Sequence, residues 1–228
     1  MGAKKLSCLR NRLRASFVGP HYEKMVKVKI CGITNLEDAQ TAVDYGAEVL
    51  GFIFYPKSPR RVTVRTVKEI TRALPPFVLT VGVFVNETVE TIRKTVQQCG
   101  LSLVQLHGDE SPEFCDRLDF RAIKAIRVSG PEDLKRIQDY KVQGVLLDSY
   151  HPDFYGGTGD PIDWKVLQSL SIDKPVLLSG GLTPENIRQA IQTVSPYGVD
   201  VCSGVEEKPG KKSPEKIKLF IKNAKEIL

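Results

Sequence analysis

The strongest constraint on the fold is an alternation of two patterns that repeats eight times between residues 26 and 227. Each short apolar run rich in β-branched residues is followed by a stretch with helical periodicity, which predicts parallel strands joined by helices. A chain of 228 residues is long enough to close eight such units into one (β/α)8 TIM barrel. An open doubly wound sheet shows the same local alternation, but it usually carries a glycine-rich fingerprint after its first strand, which this sequence lacks.

Local signals at the ends of the elements refine this prediction. Thr34-Asn-Leu-Glu37 fits a capping box for the first helix, Asn86 is placed to cap the third, and Pro184 to begin the seventh. A glycine-rich stretch from Tyr150 to Pro161 interrupts the alternation, and a loop of that length in a compact domain is more often functional than not. The predicted strands span residues 26–31, 47–54, 77–84, 103–106, 121–128, 142–147, 176–178 and 198–201.

The positive net charge of +6 is concentrated at the start of the chain. Six basic residues and only one acidic residue lie within residues 1–24, so residues 25–228, the expected catalytic barrel domain, are nearly neutral. We therefore expect no nucleic-acid partner. The extension 1–24 is expected to be a disordered tail or an upstream-extended start, with Met25 as the natural first residue; an Arg-rich targeting segment is the alternative.

Hydropathy and cysteine usage narrow the setting of the protein. No apolar run approaches the roughly 20 residues that span a bilayer, so we expect no membrane association. The five cysteines are scattered without a CxxC pair, which indicates reduced thiols in a cytoplasmic protein rather than a disulfide framework or a zinc site. The sequence does not distinguish a monomer from a homodimer.

Polar residues that end apolar strands are the candidate site residues, because ligands bind at the carboxyl ends of the strands in both architectures. Cys31 ends the first strand and alternates with Lys29, whose ammonium would lower the pKa of the thiol and make its thiolate a usable base. A buried, inert cysteine is the alternative. Asp148 ends the sixth strand, where it could be a general acid or could cap the next turn.

Glycines follow the last two predicted strands. Gly180-Gly181 and Ser203-Gly204 are expected just ahead of helices, where backbone N–H groups can converge on a phosphate without a side chain in the way. In barrels, phosphate sites recur at these two loops. A pair of tight turns is the alternative.

Three further residues at strand ends could contact a substrate. Arg60 lies on a loop stiffened by two prolines and suits a bidentate grip on a carboxylate, although a solvated cation is the alternative. His107 could donate to a ligand or satisfy a loop carbonyl. Asp200 lies on the eighth strand, just before the second glycine loop.

Taken together, several stretches in order along residues 27–228 resemble the phosphoribosylanthranilate isomerase family of tryptophan biosynthesis. The set as a whole is specific, although no single motif is. The stretches are Lys29-Ile-Cys-Gly-Ile-Thr34, Gly51-Phe-Ile-Phe-Tyr-Pro-Lys-Ser-Pro-Arg60, Val81-Gly-Val-Phe-Val85, Val104-Gln-Leu-His-Gly108, Leu146-Leu-Asp-Ser149, Gly156-Gly-Thr-Gly159, Leu178-Ser-Gly-Gly-Leu182 and Gly198-Val-Asp-Val-Cys-Ser-Gly-Val-Glu206.

The resemblance implies an aldose–ketose isomerase that acts without a metal or organic cofactor. Its substrate would be N-(5-phosphoribosyl)anthranilate, converted by an Amadori rearrangement to 1-(2-carboxyphenylamino)-1-deoxyribulose 5-phosphate. It also implies that Cys31 is the general base, that Asp148 is the general acid and that Arg60 holds the anthranilate carboxylate. The phosphate would lie on Gly180, Gly181, Ser203 and Gly204.

One position departs from the family, which often has a serine where this chain has Cys202. Two other readings stay open from the residues alone. A related sugar-phosphate enzyme, such as a histidine-pathway isomerase or an indoleglycerol-phosphate synthase, would need a carboxylate base or a lysine–carboxylate set, and Cys31 argues against both. A non-catalytic phospholigand-binding barrel would keep only the glycine loops.

Overall fold

In the computed structural model, which describes residues 25–149, 164–167 and 172–226, eight parallel strands form a closed barrel. The strands pair in chain order, and the last pairs back onto the first. The predicted (β/α)8 barrel is therefore confirmed. The strands are β1 (Lys27–Cys31), β2 (Val49–Ile53), β3 (Leu79–Phe84), β4 (Leu103–Leu106), β5 (Ala122–Val128), β6 (Gly144–Ser149), β7 (Val176–Leu178) and β8 (Gly198–Val201).

Helices follow the strands around the outside of the barrel. None of the described helices is long and apolar enough to cross a membrane. The expected long loop from Tyr150 to Pro161 lies outside the described residues. The helices are α1 (Leu36–Asp44), α2 (Val64–Ala73), α3 (Val89–Cys99), α4 (Pro112–Asp116), α5 (Pro131–Lys135), α6 (Trp164–Leu167), α7 (Ile187–Val194) and α8 (Pro214–Lys225), with 3-10 turns at Arg136–Asp139 and Ser203–Val205.

Three of the predicted helix starts are wrong by one to three residues. Helix α1 is capped by Asn35, whose Oδ1 accepts from the Asp38 backbone N–H at 2.8 Å, because the Thr34 hydroxyl is used on the Gly210 carbonyl. Thr88 rather than Asn86 caps α3, and α7 begins at Ile187 because residues 184–186 form a turn. The predicted stop of α3 at Gly100 is confirmed, with φ at +64°.

A short hairpin between β8 and α8 was not predicted from the sequence. Strands β9 (Glu206–Lys208) and β10 (Lys211–Lys212) pair antiparallel and turn at Gly210, whose φ of +82° suits glycine. Asp38 of α1 holds this hairpin, since its carboxylate accepts from the backbone N–H of Lys212 at 2.9 Å and from Lys211 Nζ at 2.8 Å. The hairpin thereby lies over the carboxyl end of β1.

The main apolar core lies between the barrel and its helices. Val28 and Ile30 of β1, Phe52 of β2 and Phe220 of α8 are fully or almost fully removed from solvent and belong to one continuous cluster. Burial of each such side chain stabilises the fold by about 1.5–3 kcal/mol. The intervening strand positions point into the barrel, and there the polar residues Lys29 and Gln105 occupy buried positions.

We expect Phe220→Ala to lower the free energy of unfolding by about 3–5 kcal/mol, because it leaves a cavity where α8 packs on the barrel. Its neighbour Leu219 is 45 % exposed, so Leu219→Ala should change that free energy by no more than about 0.5 kcal/mol. Urea unfolding of both variants, followed by circular dichroism, measures the difference. Equal effects from the two substitutions would show that α8 does not pack as described.

Candidate active site

The carboxyl ends of the strands surround one cavity, and five of the predicted site residues line it. They are Cys31, Arg60, His107, Asp148 and Asp200. Tyr55, Ser58, Gln105, Ser179 and Cys202 complete its polar lining. The structure thus brings together side chains that are separated by up to 171 residues in the sequence, because successive parallel strands all end at the same face of the barrel.

A buried ion pair joins β1 to β8 beneath this cavity. Lys29 Nζ lies 2.6 Å from Asp200 Oδ1, and both side chains are almost fully buried. Asp200 Oδ2 also lies 3.4 Å from the Ser179 hydroxyl. Burial opposes the charge on Lys29, but Asp200 and a hydrogen bond to Cys31 outweigh it, so the pKa of Lys29 lies above its usual value. Lys29 is therefore a fixed cation beside the Cys31 sulfur.

The pKa of Cys31 is nevertheless raised well above its usual value. The largest cause is its hydrogen bond with the Cys202 thiol, and burial adds to it. Lys29 acts in the opposite direction, but Asp200 faces the same sulfur and offsets part of the attraction. The expectation that Lys29 lowers the pKa of Cys31 is thus correct for that one interaction, but the combined effect of all the neighbouring groups is to raise this pKa.

The second thiol of this pair has the opposite property. The hydrogen bond from Cys31 lowers the pKa of Cys202 to about 7, with further help from the nearby cations Lys212 and Arg60. Lys212 Nζ lies 3.9 Å from Cys202 Sγ and donates to the Cys202 carbonyl at 3.0 Å. Because the ionisations of the two thiols are coupled, loss of the first proton is a property of the pair rather than of either cysteine. The negative charge that remains is stabilised by Lys29 on one side and by Lys212 on the other.

Asp148 is held by a chain of hydrogen bonds that starts on β4. Gln105 Nε2 lies 2.7 Å from His107 Nδ1, and His107 Nε2 lies 3.2 Å from Asp148 Oδ2. With the Gln105 amide as donor, Nδ1 accepts and the ring proton sits on Nε2, where it is donated to Asp148. The other carboxylate oxygen accepts from the Ser149 N–H at 2.9 Å. His107, for which a ligand or a loop carbonyl was the expected partner, contacts Asp148 and also lines the cavity.

Arg60 lies on a second network that involves the unpredicted hairpin. Its Nε and Nη2 donate to the Glu206 carboxylate at 2.8–3.1 Å, and Lys212 Nζ donates to the same carboxylate at 2.9 Å. Burial opposes the charge of Glu206, but these two cations outweigh it and keep its pKa below the usual value. Nη1 of Arg60 makes no hydrogen bond to the described residues, so its donors are available on a side chain that lines the cavity.

The two glycine loops touch each other. Gly180 and Gly181 have φ values of +81° and +62°, and a Cβ on Gly180 would lie 2.8 Å from the Ser149 backbone nitrogen. A Cβ on Gly204 would overlap the Leu182 carbonyl oxygen. Asn186 fixes the first loop by donating to the Gly181 carbonyl at 2.8 Å. The close approach of backbone to backbone therefore requires glycine in both loops.

The expected position of both loops immediately ahead of a helix is wrong. Helix α7 starts at Ile187, after an intervening turn, and Ser203-Gly204 opens only a three-residue 3-10 turn. Backbone N–H groups of the loops, rather than a helix dipole, are thus what this part of the site can offer an anion.

The contributors to the site that sequence reasoning missed include Gln105, Glu206 and Lys212. Gln105 could have been found as the lone polar residue inside the apolar β4 run. Glu206 and Lys212 had no such signal, because the hairpin that positions them breaks the β/α alternation. Within the described ranges, no group of three or more His, Cys, Asp and Glu side chains is arranged to hold a metal ion.

Comparison with known proteins gives one consistent result. A family model described as “N-(5'phosphoribosyl)anthranilate (PRA) isomerase” matches residues 28–223. The curated N-(5'-phosphoribosyl)anthranilate isomerase of Trichlorobacter lovleyi is 50 % identical over 205 residues, which cover 90 % of this chain and 100 % of the relative.

Solved structures agree with the sequence relatives. Phosphoribosylanthranilate isomerase from Thermotoga maritima superposes with a TM-score of 0.83 at 46 % identity, covering 88 % of this chain and 99 % of the other, and that enzyme is described as dimeric. A phosphoribosylanthranilate isomerase in complex with reduced 1-(o-carboxyphenylamino)-1-deoxyribulose 5-phosphate has a TM-score of 0.79 and 45 % identity, with coverage of 88 % and 99 %. The closed barrel, the relatives and the family match lead to one conclusion: this chain belongs to the N-(5'-phosphoribosyl)anthranilate isomerase family.

Proposed function

We propose that Cys31 and Asp148 perform the reaction of this family as general base and general acid within residues 25–228. The chain is an isomerase of tryptophan biosynthesis that converts N-(5'-phosphoribosyl)anthranilate to the corresponding 1-deoxyribulose 5-phosphate. The observation that carries the proposed roles is that the Cys31 thiol on β1 and the Asp148 carboxyl group on β6 line the same cavity from separate strands. An acid and a base so placed can act on different atoms of one small sugar.

The rearrangement needs two proton transfers. Asp148 in its acid form gives a proton to the furanose ring oxygen, the C1–O bond breaks, and the anthranilate nitrogen supplies the electron pair of a Schiff base. Cys31 as thiolate then removes the proton from C2, giving an enolamine that tautomerises to the ketose. Such acid–base catalysis contributes about 10²- to 10⁴-fold per group, and positioning of the substrate supplies much of the rest.

The surrounding residues are proposed to position these two groups. Gln105 holds His107, and His107 holds the Asp148 carboxyl group at Oδ2, so we assign His107 to positioning of the acid rather than to the substrate. Asp200 neutralises Lys29 and fixes it beside Cys31. We therefore assign Asp200 to holding Lys29 of β1 in position rather than to binding the substrate.

Two other parts of the cavity are proposed to bind the ends of the substrate. Arg60 is held by Glu206 through Nε and Nη2 and offers Nη1 to the anthranilate carboxylate. The loops Gly180-Gly181 and Ser203-Gly204 offer N–H groups to the phosphate. The relative solved with a reduced, phosphorylated product analogue supports a substrate of this class.

The setting of the enzyme is also part of this proposal. We place it in the cytoplasm, in keeping with four free cysteines among the described residues.

We propose further that the enzyme works as a homodimer, with the amino-terminal end of the barrel as its interface. There Phe77 is 94 % exposed, and Leu79 and Tyr197 are 45 % and 44 % exposed beside a groove whose lining includes apolar strand residues together with the charged Lys27, Glu48 and Arg121. The dimeric relative from Thermotoga maritima supports this state.

Cys31→Ser and Asp148→Asn should each reduce kcat by about 10²- to 10⁴-fold, because each removes one proton-transfer group without changing the size of the side chain much. The surface carboxylate of Asp116 on α4 provides a control, and Asp116→Asn should keep wild-type kcat. Steady-state assays of the purified chains measure kcat for each variant. Growth complementation of an isomerase-deficient tryptophan auxotroph tests the same variants in cells. Undiminished activity of the Asp148→Asn enzyme would contradict its role as the acid.

Arg60→Lys should raise KM about 10-fold or more with a smaller change in kcat, because a lysine cannot keep the Glu206 contacts and still offer a second edge to a carboxylate. The adjacent Arg61 has an exposed side chain and gives a matched control. We expect Arg61→Lys to leave KM within about twofold of the wild type. If the two variants had the same KM, Arg60 would not bind the substrate carboxylate.

Phe77→Asp should convert a wild-type dimer to a monomer, because it places a charge at the centre of the proposed interface. Leu219→Asp, on the outer face of α8, should leave the dimer intact. Light scattering coupled to size-exclusion chromatography gives the mass of each species. A wild-type chain that elutes as a monomer at micromolar concentration would contradict the dimer.

A further inference from the structure

We propose that Cys31 and Cys202 form a site of reversible oxidation, in which peroxide links the two thiols as a disulfide and so removes Cys31 from catalysis. The catalytic consequence rests on the proposed function, in which Cys31 is the base. The disulfide itself depends only on the geometry of the two thiols.

The register of the barrel places the two cysteines side by side. Strands β1 and β8 pair with Lys29 opposite Asp200 and Ile30 opposite Val201, where β8 ends, and Cys31 and Cys202 directly follow this last pair. Neighbouring strands are separated by about 4.8 Å, which lies within the usual Cα–Cα range of disulfides, about 4.4–6.8 Å. Both side chains line the same cavity, and Cys202 Sγ lies beside Gly32, the residue that follows Cys31. The two thiols are therefore neighbours in the folded chain.

Two glycines leave the space in which the sulfurs meet. A Cβ on Gly51, opposite Cys31 on β2, would lie 2.7 Å from Cys31 Sγ. A Cβ on Gly32 would lie 2.8 Å from Cys202 Sγ. With larger residues at these positions the sulfurs would be displaced, so the pocket around the pair is shaped by the absence of side chains.

Cys202 has the properties of the thiol that reacts first. It is only partly buried and lines the cavity, so a small peroxide that enters the cavity can reach it. The hydrogen bond from Cys31 is the largest cause of its pKa of about 7, and Lys212 at 3.9 Å and the nearby Arg60 stabilise the thiolate further. Thiols that combine low pKa, access and a neighbouring thiol are the ones most readily oxidised to a disulfide.

The other described cysteines lack these properties. Cys99 and Cys115 are buried, and burial raises the pKa of Cys99 and brings that of Cys115 to about 11. They remain thiols over the range in which Cys202 ionises. They provide controls within the same chain.

The reaction balances with hydrogen peroxide as the oxidant. The Cys202 thiolate attacks one oxygen of the peroxide, the O–O bond breaks, and Cys202 becomes a sulfenic acid. The departing hydroxide takes up the proton that Cys202 lost and becomes the first water. The Cys31 sulfur then attacks the Cys202 sulfur, the S–O bond breaks, and the Cys31 proton leaves with the hydroxyl group as water. The sum is two thiols and one peroxide converted to one disulfide and two waters, and a dithiol reductant reverses it by exchange.

The experiment treats the full chain with hydrogen peroxide at pH 7 and follows intact mass, peptide linkage and isomerase activity. We expect a loss of two hydrogens, a Cys31–Cys202 cross-link in the peptide map, loss of activity on the same time course, and recovery with dithiothreitol. The rate should rise as the pH passes through about 7. In a Cys202→Ser chain, measured against its own untreated activity, inactivation should be about tenfold slower or more, and no cross-link to Cys31 should form.

Cys115→Ser serves as the matched control and should oxidise at the wild-type rate. The proposal is overturned if the wild-type chain gains oxygen mass without a cross-link, if another cysteine pairs with Cys31, or if dithiothreitol does not restore activity. A Cys31–Cys202 disulfide in a fully active enzyme would support the oxidation site and overturn Cys31 as the base. The mass and activity readouts therefore separate failure of this inference from failure of the proposed function.

Discussion

The pairing of β8 with β1, which closes the barrel, determines the chemistry of the site. This register sets Lys29 against Asp200 at 2.6 Å and, two residues further along each segment, brings Cys31 and Cys202 to the same cavity. Removing one partner from a buried ion pair of this kind typically destabilises a protein by about 3–5 kcal/mol, because the remaining charge has no counterion. The ion pair thus ties the first strand to the last at the depth where the thiols lie.

The same closure explains why the electrostatics at Cys31 differ from a simple thiol–lysine pair. Asp200 is needed to hold Lys29 inside the barrel, yet its charge faces Cys31 and opposes ionisation of the thiol. Cys202 resolves part of this conflict, since the pair of sulfurs can carry one negative charge between Lys29 and Lys212. The ionisation of the base is therefore a property of two strands together.

Around this centre, each proposed functional group is held by a partner from another part of the chain. Gln105 and His107 of the β4 region hold Asp148 of β6, and Glu206 of the hairpin holds Arg60 of the β2 loop. These partners are buried and leave the side chains little freedom to move. Preorganised groups of this kind need little rearrangement when a substrate binds.

The sequence by itself determined the eight-fold β/α alternation, hence the barrel, and with it which residues lie at strand ends. That followed because apolar periodicity and capping residues are local signals, and because all strands of a barrel end at one face. Cys31, Arg60, His107, Asp148 and Asp200 could therefore be placed at the cavity in advance. Only the tertiary structure decided what each one touches: that His107 meets Asp148, that Asp200 meets Lys29, and that Cys202 meets Cys31. Such contacts depend on register and on the Glu206–Lys212 hairpin, which arise from pairings between residues far apart in the chain and leave no periodic trace in its sequence.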